Sequence, residues 1–388
     1  MTDTRLVIGS FLTATAVTLV LNWLALIPYR RALKAHWTER ARRLYPARIG
    51  AALMLWLLPA DLVLAQRLLW PEAAPSWPLA AFASWLGAIA GTYFMDHEIL
   101  PWLTLRAWLH QVLASWTLRF GWCVLFFGTL AAMPGELNWQ CWALAGFFLV
   151  AFAGWAMGGA VWLCRQLRLA VPAPDRLRAL VAEVSARMGV PVRGIWALRV
   201  ASCNAFAMPY SGDLLFSVRL LSLHPDDEIA AICAHELGHL GESRVHRAMR
   251  LVGVFAFVPW LFTRPLVRAW GMPGILLPAV CSWLAFAAAR RIGRRLETRA
   301  DHIAHTYECD PGTYARALAR LYEANLAPAV MPGKRHVHPD LYDRLIAAGV
   351  QPDYPRPAKP SRLGWQGFLM AILFGLLVEG MLARLSAP

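Results

Sequence analysis

The stretch from Asp226 to Leu240 reads DDEIAAICAHELGHL, and it decides how the chain is to be read. Asp226, Asp227 and Glu228 suit the positive end of a helix dipole, and Pro225 fits a first turn. Ile229, Ile232, Cys233, Leu237 and Leu240 recur at helical spacing, so the stretch is expected to be a half-buried helix. On it His235 and His239 stand four residues apart, on adjacent turns of one face, where both imidazoles can reach one ion at about 2.0–2.1 Å. Glu236 flanks that ion without binding it and can take a proton from water that the metal activates. Two histidines and a glutamate at this spacing are the signature of a zinc hydrolase, with one Zn2+ per chain.

A catalytic zinc takes a third protein ligand and leaves one position for water. Glu242 shares the helical face but lies about 10 Å along the axis from His235, too far for one straight helix to supply all three. Nor is the motif extended to HExxHxxGxxH, because Glu242 and Val245 stand where Gly and His would be needed. The better candidate lies in Leu296-Glu297-Thr298-Arg299-Ala300-Asp301. Glu297 and Asp301 are four apart on an expected helix, so the first can bind metal while the second hydrogen-bonds a ligand histidine.

Between the two motifs runs an apolar segment, Leu251 to Ala289, and the rest of the chain follows the same pattern. Of 388 residues 58% are hydrophobic and 16% charged, which marks a membrane protein. A helix needs about 20 apolar residues to cross about 30 Å of hydrocarbon. On that measure eight spans are expected: Val7–Pro28, Ile49–Gln66, Trp77–Met95, Leu109–Met133, Trp139–Leu163, two short ones within Leu251–Ala289, for which a re-entrant pair is the alternative, and Trp365–Leu382. Asp61, Arg119 and Glu379 fall inside spans and are expected either to face protein or a water-filled cavity or to sit near an interface and snorkel. Gly154 and Gly158 form a GxxxG that points to close helix packing.

The net charge of +14 does not call for nucleic acid, since the basic residues cluster beside apolar stretches. Arg30, Arg31, Lys34, Arg40, Arg42, Arg43 and Arg48 follow the first span and set that loop in the cytoplasm. Counting alternately places the polar blocks after Leu163 and after Ala289 on the same side, where they can form one domain. The seven cysteines contain no CxxC pair and read as reduced filler. The expected organisation is a membrane region over 1–164, a first protease part over 165–250, a membrane hairpin over 251–289, a second part over 290–363 and a last span over 364–388.

Within the first part, Leu177, Leu180, Val181, Val184 and Met188 give an amphipathic helix closed by Gly189. Ile195–Val200 and Leu214–Val218 are short runs of β-formers, which points to a small sheet. The fold class is thus mainly α, about eight transmembrane helices bearing a cytoplasmic α+β zincin-like domain.

HELGH, an apolar hairpin and ETRAD in this order resemble the integral-membrane gluzincins that include the type-1 CAAX prenyl protease and the HtpX heat-shock protease. Asn204-Ala-Phe-Ala-Met-Pro209 is similar to the family's segment in which an Asn and its edge strand align substrate backbone. His338-Pro339 with Arg344 resembles a late element whose His binds substrate or stabilises the oxyanion. The resemblance covers residues 170 to 350. It implies His235, His239 and Glu297 as ligands, Glu236 and His338 as catalytic residues, Asp301 behind the ligands, and Asn204 and Arg344 at the substrate. The implied protein is a zinc endopeptidase of a bacterial inner membrane, cutting membrane-associated polypeptides, either CAAX-type or in quality control. A non-catalytic zinc-containing sensor or scaffold is the alternative.

Overall fold

The computed structural model describes residues 3–70, 77–333 and 339–386. Two compact units divide the chain, the first formed by Met1–Trp108, Tyr322–Lys334 and Asp353–Pro388, the second by Leu109–Leu321 and Arg335–Pro352.

The first unit is built on α1 (Asp3–Ala25), α2 (Trp37–Leu69) and α3 (Trp77–Ile99), with the C-terminal helix Trp365–Ser386. Small residues let these helices approach closely, as membrane helices do without a hydrophobic drive between them. A Cβ on Gly87 would stand 2.3 Å from the Phe11 carbonyl oxygen, and one on Gly91 2.7 Å from Thr18, so α3 lies directly on α1. Buried Gln366 donates to the Ala47 carbonyl at 2.9 Å and Arg384 to that of Leu68 at 2.7 Å, which ties the C-terminal helix to α2 at both ends. Asp61 is buried within α2, whereas Glu379 is exposed.

The second unit carries α4 (Leu105–Ala132), of which it holds the part from Leu109, and α5 (Trp139–Gln166). β1 (Ala170–Pro172), α6 (Asp175–Met188), β2 (Gly194–Leu198), β3 (Ala205–Met208) and β4 (Asp213–Ser217) follow. The amphipathic helix is as its pattern requires, with Leu177, Val181 and Val184 buried and Gly189 closing it at φ +65°. The sheet has order β1-β2-β4-β3; β2 and β4 run parallel, and β3 is an antiparallel edge strand. Next come α7 (Asp226–Leu240), α8 (Leu276–Tyr307), α9 (Thr313–Ala324) and α10 (Leu341–Ala347).

Six helices among the described residues are long and apolar enough to cross a membrane, and they make this a mainly α, multi-pass membrane protein. That is fewer than the eight expected. The difference lies in two places. The first limb of the expected hairpin is not one rod: Arg244–Leu261 and Thr263–Trp270 meet at a 48° bend, next to Arg264 and Pro265, and count at most as one broken span. The apolar part of the C-terminal helix, Trp365–Met381, is shorter than the others. The second limb is α8, a single helix of 32 residues that continues past the apolar segment into the motif of Glu297 and Asp301.

The glycines of the expected packing motif do something else. Trp155–Gly159 is a π-helical turn and Gly158 adopts φ +138°, so α5 is kinked there. Nothing lies within 4 Å of where a Cβ of Gly154 would stand.

Candidate metal centre

α7 presents His235 and His239 on adjacent turns, buried, with ring centroids 4.9 Å apart and planes at 88°. α8 crosses it so closely that a Cβ on Gly238 would stand 3.3 Å from Cα of Ala300, and this brings Glu297 opposite the two rings. Nε2 of His235 lies 3.5 Å from Oε2 of Glu297, and Nε2 of His239 lies 3.6 Å from Oε1. These separations are too long for hydrogen bonds. They match a shared ion, because tetrahedral ligation at about 2.1 Å sets ligand atoms about 3.4 Å apart. One ligand atom from each of the three residues falls within 4.8 Å of the others, so His235, His239 and Glu297 can hold a metal ion.

The opposite nitrogens are engaged as well. Nδ1 of His235 lies 2.7 Å from the Tyr314 hydroxyl and 3.2 Å from Oδ1 of Asp301, and the Tyr314 hydroxyl donates to Asp301 at 2.8 Å. Arg344 donates to the same Asp301 oxygen and, at 3.0 Å, to the Tyr314 oxygen. Nδ1 of His239 meets Oε1 of Glu242 at 3.0 Å, and Arg250 donates from Nε to Oε2 of that carboxylate at 2.7 Å. The carboxylates of Asp301 and Glu242 favour a proton on Nδ1, which leaves Nε2 as the donor atom for metal; Nη2 of Arg250, a donor, also lies 2.9 Å from Nδ1 of His239. Burial opposes charging of His239, but its hydrogen bond to Glu242 and the nearby negative charges of Glu297 and Glu236 outweigh it and raise its pKa to about 9. Burial would likewise raise Glu242, but Arg250 and His239 bring it down to about 2.

Glu236 is half-buried on α7 beside the ligands, and its Oε2 accepts the backbone N–H of Ala207 at 2.7 Å. Along β3 the carbonyls of Asn204 and Met208 turn toward β4, accepting from Ser217 and Gly212. Backbone alternation then turns Ala205 and Ala207 to the open edge. The Ala205 N–H is met by Oδ1 of Asn204 at 3.0 Å. Both outward amides of the edge are therefore capped by side chains that the sequence singles out.

His338 lies outside the described residues. Arg344, read from sequence as a substrate contact, has its described contacts at Asp301 and Tyr314, behind His235. Sequence reasoning missed Tyr314, which has no local signal, and Arg250. It named Glu242 only as a rejected ligand. α7 in fact ends at Leu240, so Glu242 turns back to His239 instead of continuing along the helix axis.

Residues 172–349 match the family model described as Peptidase family M48. A protein named Probable CAAX prenyl protease 1 from Schizosaccharomyces pombe is 27% identical over 201 residues, 44% of this chain and 42% of that protein. A Protease HtpX homolog from Trichormus variabilis is 27% identical over 180 residues, 40% of this chain and 62% of its own length. Another from Thermoplasma acidophilum is 29% identical over 122 residues, 30% of this chain and 37% of its own length. The matched stretch spans less than two thirds of each of these relatives. Residues 172–349, which include His235, His239 and Glu297, are thus the part of the chain that is similar to peptidase family M48.

Proposed function

We propose that the chain is a membrane-embedded zinc endopeptidase. The observation that carries this reading is the facing of both Nε2 atoms toward one carboxylate at 3.5 and 3.6 Å, with a second glutamate, Glu236, on the same helix turn. Two imidazoles, one carboxylate and an open position are the donor set that suits a catalytic zinc. Zinc bound there would supply Lewis acidity, activating water and polarising the scissile carbonyl.

The chain's own residues supply the rest. Glu236 accepts the proton of the attacking water on its carboxylate and returns it to the leaving amine. Its hydrogen bond to Ala207 holds that carboxylate against β3, so the base and the open edge face one another. An extended polypeptide adds to that edge as a further strand, its backbone replacing the caps on Ala205 and Ala207. Asn204 acts in substrate binding, Arg344 holds Asp301 and Tyr314 behind His235, and His338 stabilises charge on the substrate carbonyl. The clustering of basic residues after α1 supports a cytoplasmic site in a bacterial inner membrane. Substrates are membrane-associated polypeptides, in the manner the relatives' names suggest.

The test is metal analysis and peptide cleavage by the purified protein in detergent, with products identified by mass spectrometry. The expected result is bound zinc and cleavage in wild type, with Glu236→Gln keeping the zinc and losing about 100-fold or more in rate. Unchanged cleavage in Glu236→Gln would refute the assignment. A variant that keeps both zinc and an intact membrane phenotype without cleavage would favour the non-catalytic scaffold.

A further inference from the structure

We infer that a groove between α1 and α3 holds an acyl chain of one anionic phospholipid, whose headgroup is met by Arg31 and Lys34. This site lies in the first unit and does not depend on the peptidase reading.

The groove holds about 220 Å³ and is lined by Leu19, Trp23 and Leu26 of the first span and by Phe94, Met95 and Glu98 of α3. Leu26 and Met95 are buried and form its floor, whereas Trp23 and Phe94, 56% and 57% exposed, stand out as its walls. The volume falls below the roughly 300–1,000 Å³ of pockets that enclose a whole small ligand. From Leu19 to Leu26 the helix rises about 10 Å, so a length of chain fits, lying along the helices. Both helices are apolar enough to cross a membrane, so the open side of the groove meets hydrocarbon.

The walls are held from behind. Arg30 donates from Nε and Nη2 to the two carboxylate oxygens of Glu98, each at 2.6 Å, and from Nη1 to the Trp23 carbonyl at 2.9 Å. Its guanidinium also lies 4.9 Å from the centre of the Trp23 ring, which fixes that wall. The Phe94 ring meets Tyr93 edge-on at 5.5 Å, and Tyr93 is stacked on His97 at 5.6 Å and meets Trp108 at 5.4 Å.

Polarity changes along the groove as it does along a phospholipid. Arg30 and Glu98 stand at the ends of their spans and neutralise one another, and Leu19 and Phe94 lie deeper. Just beyond the polar end, Arg31 and Lys34 are exposed, and no acidic residue occurs in the sequence between Asp3 and Glu39. Glu39 is itself engaged by Arg42 and Arg43 at 2.6 and 2.7 Å. Two free cations beside a neutral, apolar groove favour a negative headgroup over a zwitterionic one.

Two experiments test the site. In the first, the purified protein in detergent is mixed with phosphatidylglycerol carrying a diazirine in its acyl chain, irradiated and mapped by mass spectrometry. Labels are expected on Trp23, Phe94 or Met95; labels spread evenly over other exposed apolar residues, such as Val124 and Val150, overturn the groove. In the second, native mass spectrometry compares phosphatidylglycerol with phosphatidylcholine. The anionic lipid is expected to be held about tenfold more tightly, and Arg31→Gln with Lys34→Gln to abolish that difference. Equal retention by wild type, or a preference that survives the double substitution, overturns the assignment of the headgroup. Leu19→Trp, which fills the groove, and Phe94→Ala, which removes an exposed wall, should each lower retention with bound metal unchanged. Leu12→Trp, on an exposed position of α1 outside the groove, should not. Retention unchanged in both groove variants overturns the site.

Discussion

Glu297 and Asp301, one turn apart on α8, take opposite nitrogens of one imidazole: Glu297 stands 3.5 Å from Nε2 of His235 and Asp301 3.2 Å from Nδ1. A single helix therefore carries both a member of the candidate metal group and a residue that holds another member from behind. Any sliding of α8 along α7 would spoil both contacts together. α8 starts in an apolar segment of membrane type, so anchoring its first half also fixes the register of its second.

Asp301→Asn or Tyr314→Phe should weaken metal binding by about 10–100-fold, since each removes a partner that orients His235. Competition with a chelator of known affinity measures this. Affinity equal to wild type in both variants would mean that the Nδ1 contacts do nothing for the metal.

Glu242→Gln should cost about 2 kcal/mol of stability, because it leaves Arg250 without its compensating charge; the loss stays below the 3–5 kcal/mol of a fully buried pair since Arg250 is 28% exposed. Denaturant unfolding in detergent reads it out. Adding Arg250→Met should recover part of the loss, and a double variant no more stable than the single one would contradict the pairing.

Metal uptake should grow stronger with pH. With its pKa raised to about 9, metal-free His239 is protonated at neutral pH and must release that proton to bind. Apparent affinity is then expected to rise by about tenfold per pH unit below 9 and to level off above it. Titrations between pH 6.5 and 8.5 in buffers of different ionisation enthalpy test this through the protons released. A flat affinity over that interval would show that Glu242 and Glu297 do not hold a proton on His239.

His235, His239 and Glu297, which the structure brings together, stood out because their signals are local: a four-residue spacing on one helix and another on a second. α6 was legible for the same reason, and so were the spans whose apolar runs are unbroken. Contacts that join distant segments were not. Tyr314 reaches His235 across 79 positions, and nothing in the pattern around Tyr314 marks it. The contact of Glu242 with His239 was not legible, because it depends on α7 ending at Leu240. Apolar composition could not show that the first limb bends, since the break between Leu261 and Thr263 falls within an apolar run. β1, three residues long, has no period to read.

The most direct test of the account is the metal content of purified wild type, Glu236→Gln and Glu297→Ala, measured by inductively coupled plasma mass spectrometry on matched, folded samples. The account predicts about one zinc per chain in the first two and a large loss in the third, as expected when one of three protein ligands is removed. Full zinc occupancy in Glu297→Ala would contradict it, because the carboxylate facing both Nε2 atoms would then have no part in holding the ion.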